Sequence, residues 1–205
     1  MIPSDGAQVT VDVTLAATGT VAGRFLQADG ITPVKTGGQI TLLNAYNQVL
    51  AYAYASTDPA HLGEFSLTYV PIGDFKLEGY DAVSDRKGVG GGRVIAEAPP
   101  VTADVITIPR GVVRGTVLTN SGAAQVGNAS VAISVSGAQY WSYSTVTTPD
   151  GSFQFAGVPA GTFTLNVSDP ATGLSGSGSG RLTYEGETVE TEIGLQPSGS
   201  IEGMV

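Results

Sequence analysis

The sequence predicts an all-β protein made of two tandem seven-stranded β-sandwiches in an elongated arrangement. Residues 63–81 (GEFSLTYVPIGDFKLEGYD) and residues 151–169 (GSFQFAGVPAGTFTLNVSD) align without a gap, at a spacing of 88 residues. In each copy a Val-Pro-x-Gly turn joins two alternating apolar segments, which predicts a β-hairpin. The 29 glycines, 11 prolines and 13% charged residues favour short strands and tight turns over helices. Because the repeat divides 205 residues into two units, each large enough for its own core, we expect two domains.

A second repeat marks the connections between units. Residues 9–23, 101–115 and 189–203 align, with valine first and glycine last in each segment. In each segment a strand, a connector too short to be a flexible tether and the first strand of the next unit follow one another. The chain is therefore expected to be a piece of a longer array. Its predicted parts are the last strand of a preceding repeat at 1–17, sandwich repeats at 18–109 and 110–197, and the first strand of a following repeat at 198–205.

The first unit is expected to contain seven strands separated by turn residues such as Ala28-Asp29-Gly30. Glycine-rich residues 88–92 are interpreted as a flexible bend before the sixth strand. The expected strands are 20–27, 38–45, 49–57, 63–69, 74–80, 93–98 and 101–108.

The second unit repeats this order, and residues 173–180 (GLSGSGSG) take the place of the glycine-rich bend. Short strands with turns every 8–12 residues or so are typical of a β-sandwich. The expected strands are 112–118, 128–136, 140–148, the two of the 151–169 repeat, and 188–195.

Four motifs of the second unit resemble the carboxypeptidase regulatory-like domain, a transthyretin-like, Ig-like sandwich akin to the Cna-B-type repeats of bacterial surface proteins. They are Gly-x-Val-x-Gly-x-Val at 111–117, Gly-x-Phe-x-Phe at 151–155, Val-Pro-Ala-Gly-Thr-Phe-x-Leu at 158–165, and Gly-Glu-Thr-Val at 186–189. The resemblance implies a non-catalytic module, usually extracellular and often in tandem in a large bacterial protein. The expected location is therefore extracellular, secreted or on the bacterial cell surface.

The resemblance also raises an intramolecular Lys–Asn/Asp isopeptide bond, which many Cna-B-type domains carry. Residues 88–205 contain no lysine, so the second unit cannot form this bond. The first unit offers Lys35, Asn44 and Glu64 as conceivable partners. Because Lys35 lies in a polar turn and not on the opening strand, where the family places its lysine, the bond is not expected.

Charge and composition exclude several classes of function. The net charge of -9 comes from 18 acidic and 9 basic residues, without the clustered basic face that nucleic-acid binding needs. The apolar runs are too short for membrane insertion. The absence of cysteine excludes disulfides and thiolate metal sites. No cofactor is expected.

No group of residues in the sequence suggests an enzyme. His61 is the one histidine and lies in a turn without metal-binding or catalytic partners. Asp58 and Asp150 occupy matched turns, where capping of the backbone is favoured over calcium binding. The glycine-rich segments fit neither a phosphate-binding loop nor a nucleophile elbow.

Five aromatic residues carry the one binding signal: Tyr140, Trp141 and Tyr143 in the second unit, with Tyr52 and Tyr54 at matched positions in the first. On a strand Trp141 and Tyr143 share one face and Tyr140 points the other way. At least one ring is therefore expected to be exposed, unless a neighbouring unit covers it. The alternative is that these rings pack in the sandwich core and between the units.

The sequence thus predicts a non-catalytic structural spacer or stalk of a large extracellular repeat protein, whose partners are neighbouring repeats of the same chain. The alternative is an adhesion module that binds a glycan or a surface protein through the aromatic strand around Trp141.

Overall fold

The computed structural model describes residues 17–96, 98–137 and 140–197, which form fifteen β-strands and no helix. The flanking strands expected at 1–17 and 198–205 lie outside the described residues, apart from residue 17. The strands of the first group are β1 Thr18–Leu26, β2 Gln39–Asn44, β3 Val49–Tyr54, β4 Glu64–Pro71, β5 Gly73–Asp81, β6 Arg86–Val94, β7 Val101–Thr102 and β8 Val105–Thr107. Those of the second group are β9 Arg110–Leu118, β10 Ser130–Ser136, β11 Trp141–Val146, β12 Ser152–Pro159, β13 Gly161–Ser168, β14 Ser175–Leu182 and β15 Thr188–Gly194.

The first group forms a continuous sheet in the order β3-β2-β5-β6-β8-β1-β4, and β7 also pairs with β1. The short strand β8 connects its two halves. It pairs antiparallel with β6 through Val89 and Ile106, and parallel with β1 through Phe25 and Val105. The second group forms two sheets, β11-β10-β13-β14 and β12-β9-β15, in which β15 runs parallel to β9.

Each group has its own hydrophobic cluster, and the residues repeated in the sequence lie inside these clusters. Phe75 and Leu77 are buried in the first cluster, and Phe163 and Leu165 in the second. Each fully buried side chain of this size contributes about 1.5–3 kcal/mol to folding. The repetition is therefore explained by packing of two sandwich-like cores.

The predicted hairpin around Val-Pro-x-Gly is wrong. β4 pairs with β1, whereas β5 pairs with β2 and β6, so the two strands face each other from opposite sides of the core. One residue, Ile72, separates them, which is too short for a paired two-residue turn. Tyr69 (φ 58°) and its counterpart Gly157 (φ 68°) lie in the left-handed region beside a shift in strand register. Such bulges bend a strand. Here the bend lets the chain cross from one half of the first group's sheet to the other, and between the two sheets of the second group.

The glycine-rich segments lie in strands β6 and β14 and are not flexible bends. Of the described residues in the strand expected at 93–98, only residues 93 and 94 are in a strand, at the end of β6. A Cβ atom on Gly92 would lie 3.0 Å from the Phe75 ring, and one on Gly180 would lie 2.4 Å from the Phe163 ring. Each glycine is paired directly with its phenylalanine on the neighbouring strand. The glycines therefore leave room for core rings.

The strand expected at 101–108 is divided into β7 and β8. The Asp104 carboxylate accepts a hydrogen bond from the Arg24 backbone N–H at 2.8 Å, where a continuous ladder would have a carbonyl. The Ala103 carbonyl approaches Gly23 so closely that a Cβ atom there would lie 2.0 Å away. Glycine at this repeated position thus permits the close pairing of β1 with β7.

The aspartates that end the repeated segment, Asp81 and Asp169, are buried and cap the turns after β5 and β13. In each, Oδ1 accepts the backbone N–H two residues on, and Oδ2 accepts a hydroxyl, from Ser84 at 2.5 Å or Thr172 at 2.6 Å. Burial raises the pKa of Asp81, but hydrogen bonds from Ser84, Thr36 and the backbone outweigh it and lower the pKa overall. The hydrogen bond from Thr172 is the main cause of the lowered pKa of Asp169.

Gly90→Ala is expected to destabilise the protein by about 1–3 kcal/mol because it overpacks the contact between β6 and β8. The added Cβ atom would lie 2.2 Å from the Asp104 carbonyl oxygen, a backbone atom with little freedom to move. Gly194→Ala is the control, since nothing lies within 4 Å of its Cβ position. Chemical denaturation measures the unfolding free energy of both variants. Equal stability of the two would contradict the packing explanation.

Asp81→Asn is expected to lower the free energy of unfolding at pH 7 by about 1–3 kcal/mol, because hydrogen bonds to a charged acceptor are weakened. The pKa of Asp81 is lower in the folded state, so its contribution is complete above the ordinary pKa of about 4 and disappears as pH falls through the folded value. Denaturation at pH 7 and at pH 3 should show that the difference in unfolding free energy between variant and wild type is smaller at pH 3. A gap that stays constant with pH would rule out this role; Asp58→Asn, in an exposed turn, is the control.

Candidate functional site

The aromatic strand β11 is an edge strand, and two of its rings stack on each other. Trp141 and Tyr143 pair with Val135 and Ile133 of β10, both buried in the second core, so their rings lie on the core side of the sheet. The ring centroids are 6.0 Å apart and the planes meet at 20°. Trp141 is half-buried against the core, whereas Tyr143 is 65% exposed. The two rings share one face, as predicted.

The stacked rings line a groove of about 380 Å³ where the edges of the two sheets meet. On the opposite side the groove is lined by Gln154 and Ala156 of β12, and Thr145 extends it along β11. The groove therefore combines an aromatic surface with an amide and a hydroxyl, which can stack on a flat ligand and hydrogen-bond to it.

Tyr52 and Tyr54 do not match these rings in the structure. They project from the outer face of β3 and are 58% and 73% exposed, while Ala51 and Ala53 face the first core. Exposure therefore excludes the sandwich-core interpretation for these two tyrosines.

The strand register explains this difference. Leu42 pairs with both Leu77 and Ala51, and its counterpart Ile133 pairs with both Leu165 and Tyr143. Ala51, not Tyr52, is thus the structural counterpart of Tyr143. The one-position difference moves the first unit's tyrosines to the other side of the sheet.

Tyr140 lies just before β11 and is 75% exposed. Together with Ile108 it lines a cleft of about 370 Å³ whose other side is formed by Tyr80, Lys87 and Val89 of the first group. The five aromatic residues predicted as one site are thus distributed over a groove, an outer sheet face and this cleft. Sequence reasoning missed Tyr80, although the buried alternation of Phe75, Leu77 and Gly79 places it on the outer face.

An ion pair connects the two groups of strands across the short link Ile108–Pro109. The Arg86 guanidinium donates two hydrogen bonds to the Glu185 carboxylate, at 3.0 and 2.6 Å. The backbone N–H of Arg110 donates to the same carboxylate at 3.0 Å, and the Arg110 side chain donates to the carbonyl of Asp85. No sequence signal identifies this pair, since its members lie 99 residues apart.

Backbone hydrogen bonds reinforce this region, which we call the junction (Ile108–Pro109 and the groups bonded across it). The backbone N–H of Ile108 donates a hydrogen bond to the backbone carbonyl of Lys87 at 2.8 Å, and Ile108 is buried. The carbonyls of Pro109 and Arg110 accept from Ala160 and Gly186 at 2.7 and 2.8 Å. The hydrogen bond from Arg86 is the main cause of the lowered pKa of Glu185, which therefore stays ionised at neutral pH.

The remaining polar candidates occupy turns and surface pairs. His61 is exposed and its Nδ1 lies 3.0 Å from Glu64, which also pairs with Arg24 at 3.2 Å. The hydrogen bond with His61 is the main cause of the lowered pKa of Glu64. Asp58 and Asp150 each accept a backbone N–H two residues on, at 3.0 and 3.4 Å, as the capping prediction requires.

The three residues considered for an isopeptide bond have other contacts. Asn44 caps the β2–β3 turn by accepting the N–H groups of Tyr46 and Gln48, and Glu64 pairs with Arg24. Lys35 lines a cleft next to the junction instead. Within the described residues there is no group of three His, Cys, Asp or Glu that could hold a metal, and no helix there is long and apolar enough to cross a membrane.

Comparison with known families identifies part of the chain. Residues 112–195, which include most of β9 and all of β10–β15, match the family model of the carboxypeptidase regulatory-like domain. No curated protein matches the chain.

Solved structures with a similar fold include bacterial pilins. A streptococcal ancillary pilin is 15% identical, with a TM-score of 0.51, over 90% of this chain and 64% of its own length, so this chain spans less than two thirds of that pilin. The TIE protein of Bacillus anthracis is 16% identical over 87% of this chain and 34% of its own, with a TM-score of 0.40. A minor pilin of Streptococcus agalactiae is 10% identical over 91% of this chain and 100% of its own, with a TM-score of 0.48. At such identity the ancillary pilin shows only that the fold, an all-β sandwich, is shared.

Trp141→Ala is expected to cost about 3 kcal/mol or more of unfolding free energy, because it removes a ring packed on the second core. Tyr143→Ala should cost less than 1 kcal/mol, because most of that ring is exposed. Denaturant titration of both variants checks this difference. Equal losses would show that the two rings form one structural unit and that Tyr143 is not free for a ligand.

Proposed function

We propose that this chain, whose residues 112–195 match the family model of the carboxypeptidase regulatory-like domain, is a non-catalytic structural spacer, part of the stalk of a large extracellular repeat protein. In this proposal residues 18–109 and 110–197 are two copies of one seven-stranded unit in an elongated tandem. Segments 1–17 and 198–205 are the adjoining strands of neighbouring repeats.

The proposal rests chiefly on the junction. Only Ile108 and Pro109 separate β8 from β9, and the backbone at Ile108, Pro109 and Arg110 is hydrogen-bonded to a strand or loop of one group or the other. A spacer has to keep the domains at its two ends a fixed distance apart. A two-residue link held by an ion pair and backbone hydrogen bonds resists bending better than a flexible tether. The Arg86–Glu185 pair is partly buried, so solvent and salt screen it less than a fully exposed pair.

The two-unit interpretation is supported by the separate cores. Buried residues at Phe75 and Leu77 recur 88 positions on at Phe163 and Leu165 in the second cluster. The short strands β7 and β8 together occupy the place that β15 occupies in the second group, since all three pair parallel with the opening strand. Counted in this way, each unit has seven strands.

The extracellular assignment comes from the kind of protein that shares the fold. An ancillary pilin shares the fold, and pilins and the regulatory-like domain are not enzymes. The site adds no convergent nucleophile, base or metal cluster among the described residues. Cell-surface location, neighbouring repeats as partners and the absence of catalysis are therefore proposed together.

A second candidate function is adhesion through the groove at Trp141 and Tyr143. The observation that favours it is the stacked ring pair, 6.0 Å apart, at an open sheet edge. A protein loop or glycan could insert between these rings and Gln154 of β12. In the first unit Ala51 stands in the place of Tyr143, so this groove belongs to one repeat alone.

Small-angle scattering of the whole chain tests the spacer. An elongated two-body distance distribution is expected, because in this proposal the junction holds the two units end to end. Glu185→Gln should broaden that distribution at neutral pH, since the neutral amide no longer binds Arg86 as an ion pair. Glu190→Gln is a matched control, because it breaks the ion pair with Arg114 inside the second unit. A compact, folded-back wild-type particle would refute the spacer.

A further inference from the structure

The outer face of the first unit's sheet carries three tyrosines. One cross-strand row runs through Tyr54, Gln39, Tyr80 and Lys87 on β3, β2, β5 and β6. Tyr52 lies two residues before Tyr54 on the same face. Strand geometry places Tyr52 about 7 Å from Tyr54 along the strand, and Tyr80 about 10 Å from Tyr54 across two strand spacings. We call this surface the tyrosine face.

Polar side chains lie between the rings. The row that contains Tyr52 continues through Thr41, Glu78 and Val89. Lys76 lies on the same face as Glu78 and Lys87, so two of the three lysines of the chain are found here. In a protein with a net charge of -9, this face is therefore locally close to neutral.

One tyrosine of the face is held in place. The Tyr80 hydroxyl donates a hydrogen bond to Asp85 at 3.1 Å, and this bond is the main cause of the raised pKa of Tyr80. Tyr80 is 40% exposed, so its ring remains accessible while its orientation is fixed. A fixed ring loses less conformational entropy on binding a ligand than a free one.

Tyr140 of the second unit turns the end of this face into a cleft. It lines the 370 Å³ cleft opposite Tyr80, Lys87 and Val89, with Ile108 of the junction beside it. The surface is therefore concave at β5 and β6, where the cleft lies. Four tyrosines from two units border it.

We propose that the tyrosine face and Tyr140 form a binding site for a strand of neutral polysaccharide. Tyrosine rings pack on the C–H faces of sugar rings, and their hydroxyls hydrogen-bond to sugar hydroxyls. Gln39 and Thr41 add donors and acceptors between the rings. On this face Glu78 offsets part of the charge of Lys76 and Lys87, and the net charge of -9 of the whole chain repels an acidic polymer.

A second protein fits this face less well. Glu78 lies in the middle of its row, between Thr41 and Val89, with Lys87 near it. Lysine and glutamate are depleted from the cores of protein interfaces, where they would have to lose their water. The hydroxyls of a sugar can take the place of this water, so that Glu78 and Lys87 keep hydrogen-bond partners when the sugar binds.

The second unit provides an internal reference for the site. Its corresponding sheet face has serine at the positions of two of the three tyrosines, since Ser144 and Ser168 correspond to Tyr52 and Tyr80. The same backbone thus presents small hydroxyls in one unit and rings in the other. Tyr52→Ser with Tyr80→Ser gives the first unit the side chains that the second unit already tolerates.

Native gel electrophoresis of the whole chain tests the site, in gels that contain a neutral β-glucan, a neutral galactomannan or polygalacturonate. Migration is expected to be retarded by at least one neutral polymer and not by polygalacturonate. The Tyr52→Ser/Tyr80→Ser variant should lose the retardation, and Tyr140→Ser should lose part of it. Tyr46→Ser is the matched control, because that ring is 84% exposed in the β2–β3 turn, and it should bind as wild type.

Three results of the gel experiment would overturn the site. They are retardation by neither neutral polymer, retardation by polygalacturonate, and retardation that survives in the double variant but is lost in Tyr143→Ser. The last would place the ligand in the groove at Trp141. Thermal melting confirms that the double variant is folded. Sedimentation that shows a wild-type dimer dissociating in this variant would identify the face as a contact between chains, and would also overturn it.

Discussion

The packing of phenylalanine rings against glycines on a neighbouring strand is the contact on which both hydrophobic cores depend. Phe163 fills the space where Gly180 has no side chain, and Phe75 does the same over Gly92. In the first unit Phe25, which is fully buried, occupies the space at Gly79 and Gly88 in addition. A glycine-rich strand can therefore close against the core without a loss of packing density. This explains why segments that look flexible in the sequence form regular strands.

The sequence predicted the fold class and most strand positions because alternation and repetition record which side chains are buried. It did not predict strand pairing at the repeated segment. The alternation around Phe65 and Phe75 is the same whether β4 and β5 pair or face each other across a core. The left-handed conformation of Tyr69 decides the matter, and its side chain gives no hint of that conformation. The division at Asp104 likewise depends on a contact with Arg24, 80 residues away.

The aromatic site was predicted in part. The shared face of Trp141 and Tyr143 follows from strand geometry alone. The match between Tyr52 and the second unit's rings failed because a difference of one position in register reverses the side of the sheet. The same alternation argument places Tyr80 on the outer face of β5. A single outward tyrosine does not indicate a binding site until its neighbours across the sheet are known. The ion pair of Arg86 with Glu185 exists only after both units have folded.

The junction connects these features, since Ile108 and Tyr140 line one cleft with Tyr80 of the first group, and the proposed spacer requires this connection to be rigid. Its rigidity is measured most directly by amide hydrogen exchange. The N–H groups of Ile108, Arg110 and Gly186 fasten the two ends of the link, Ile108 to Lys87 of the first group and the other two within the second. They are expected to exchange as slowly as those of the central strands. Exchange as fast as that of Ala123, in an exposed turn, would contradict a rigid connection and with it the account of this chain as a spacer.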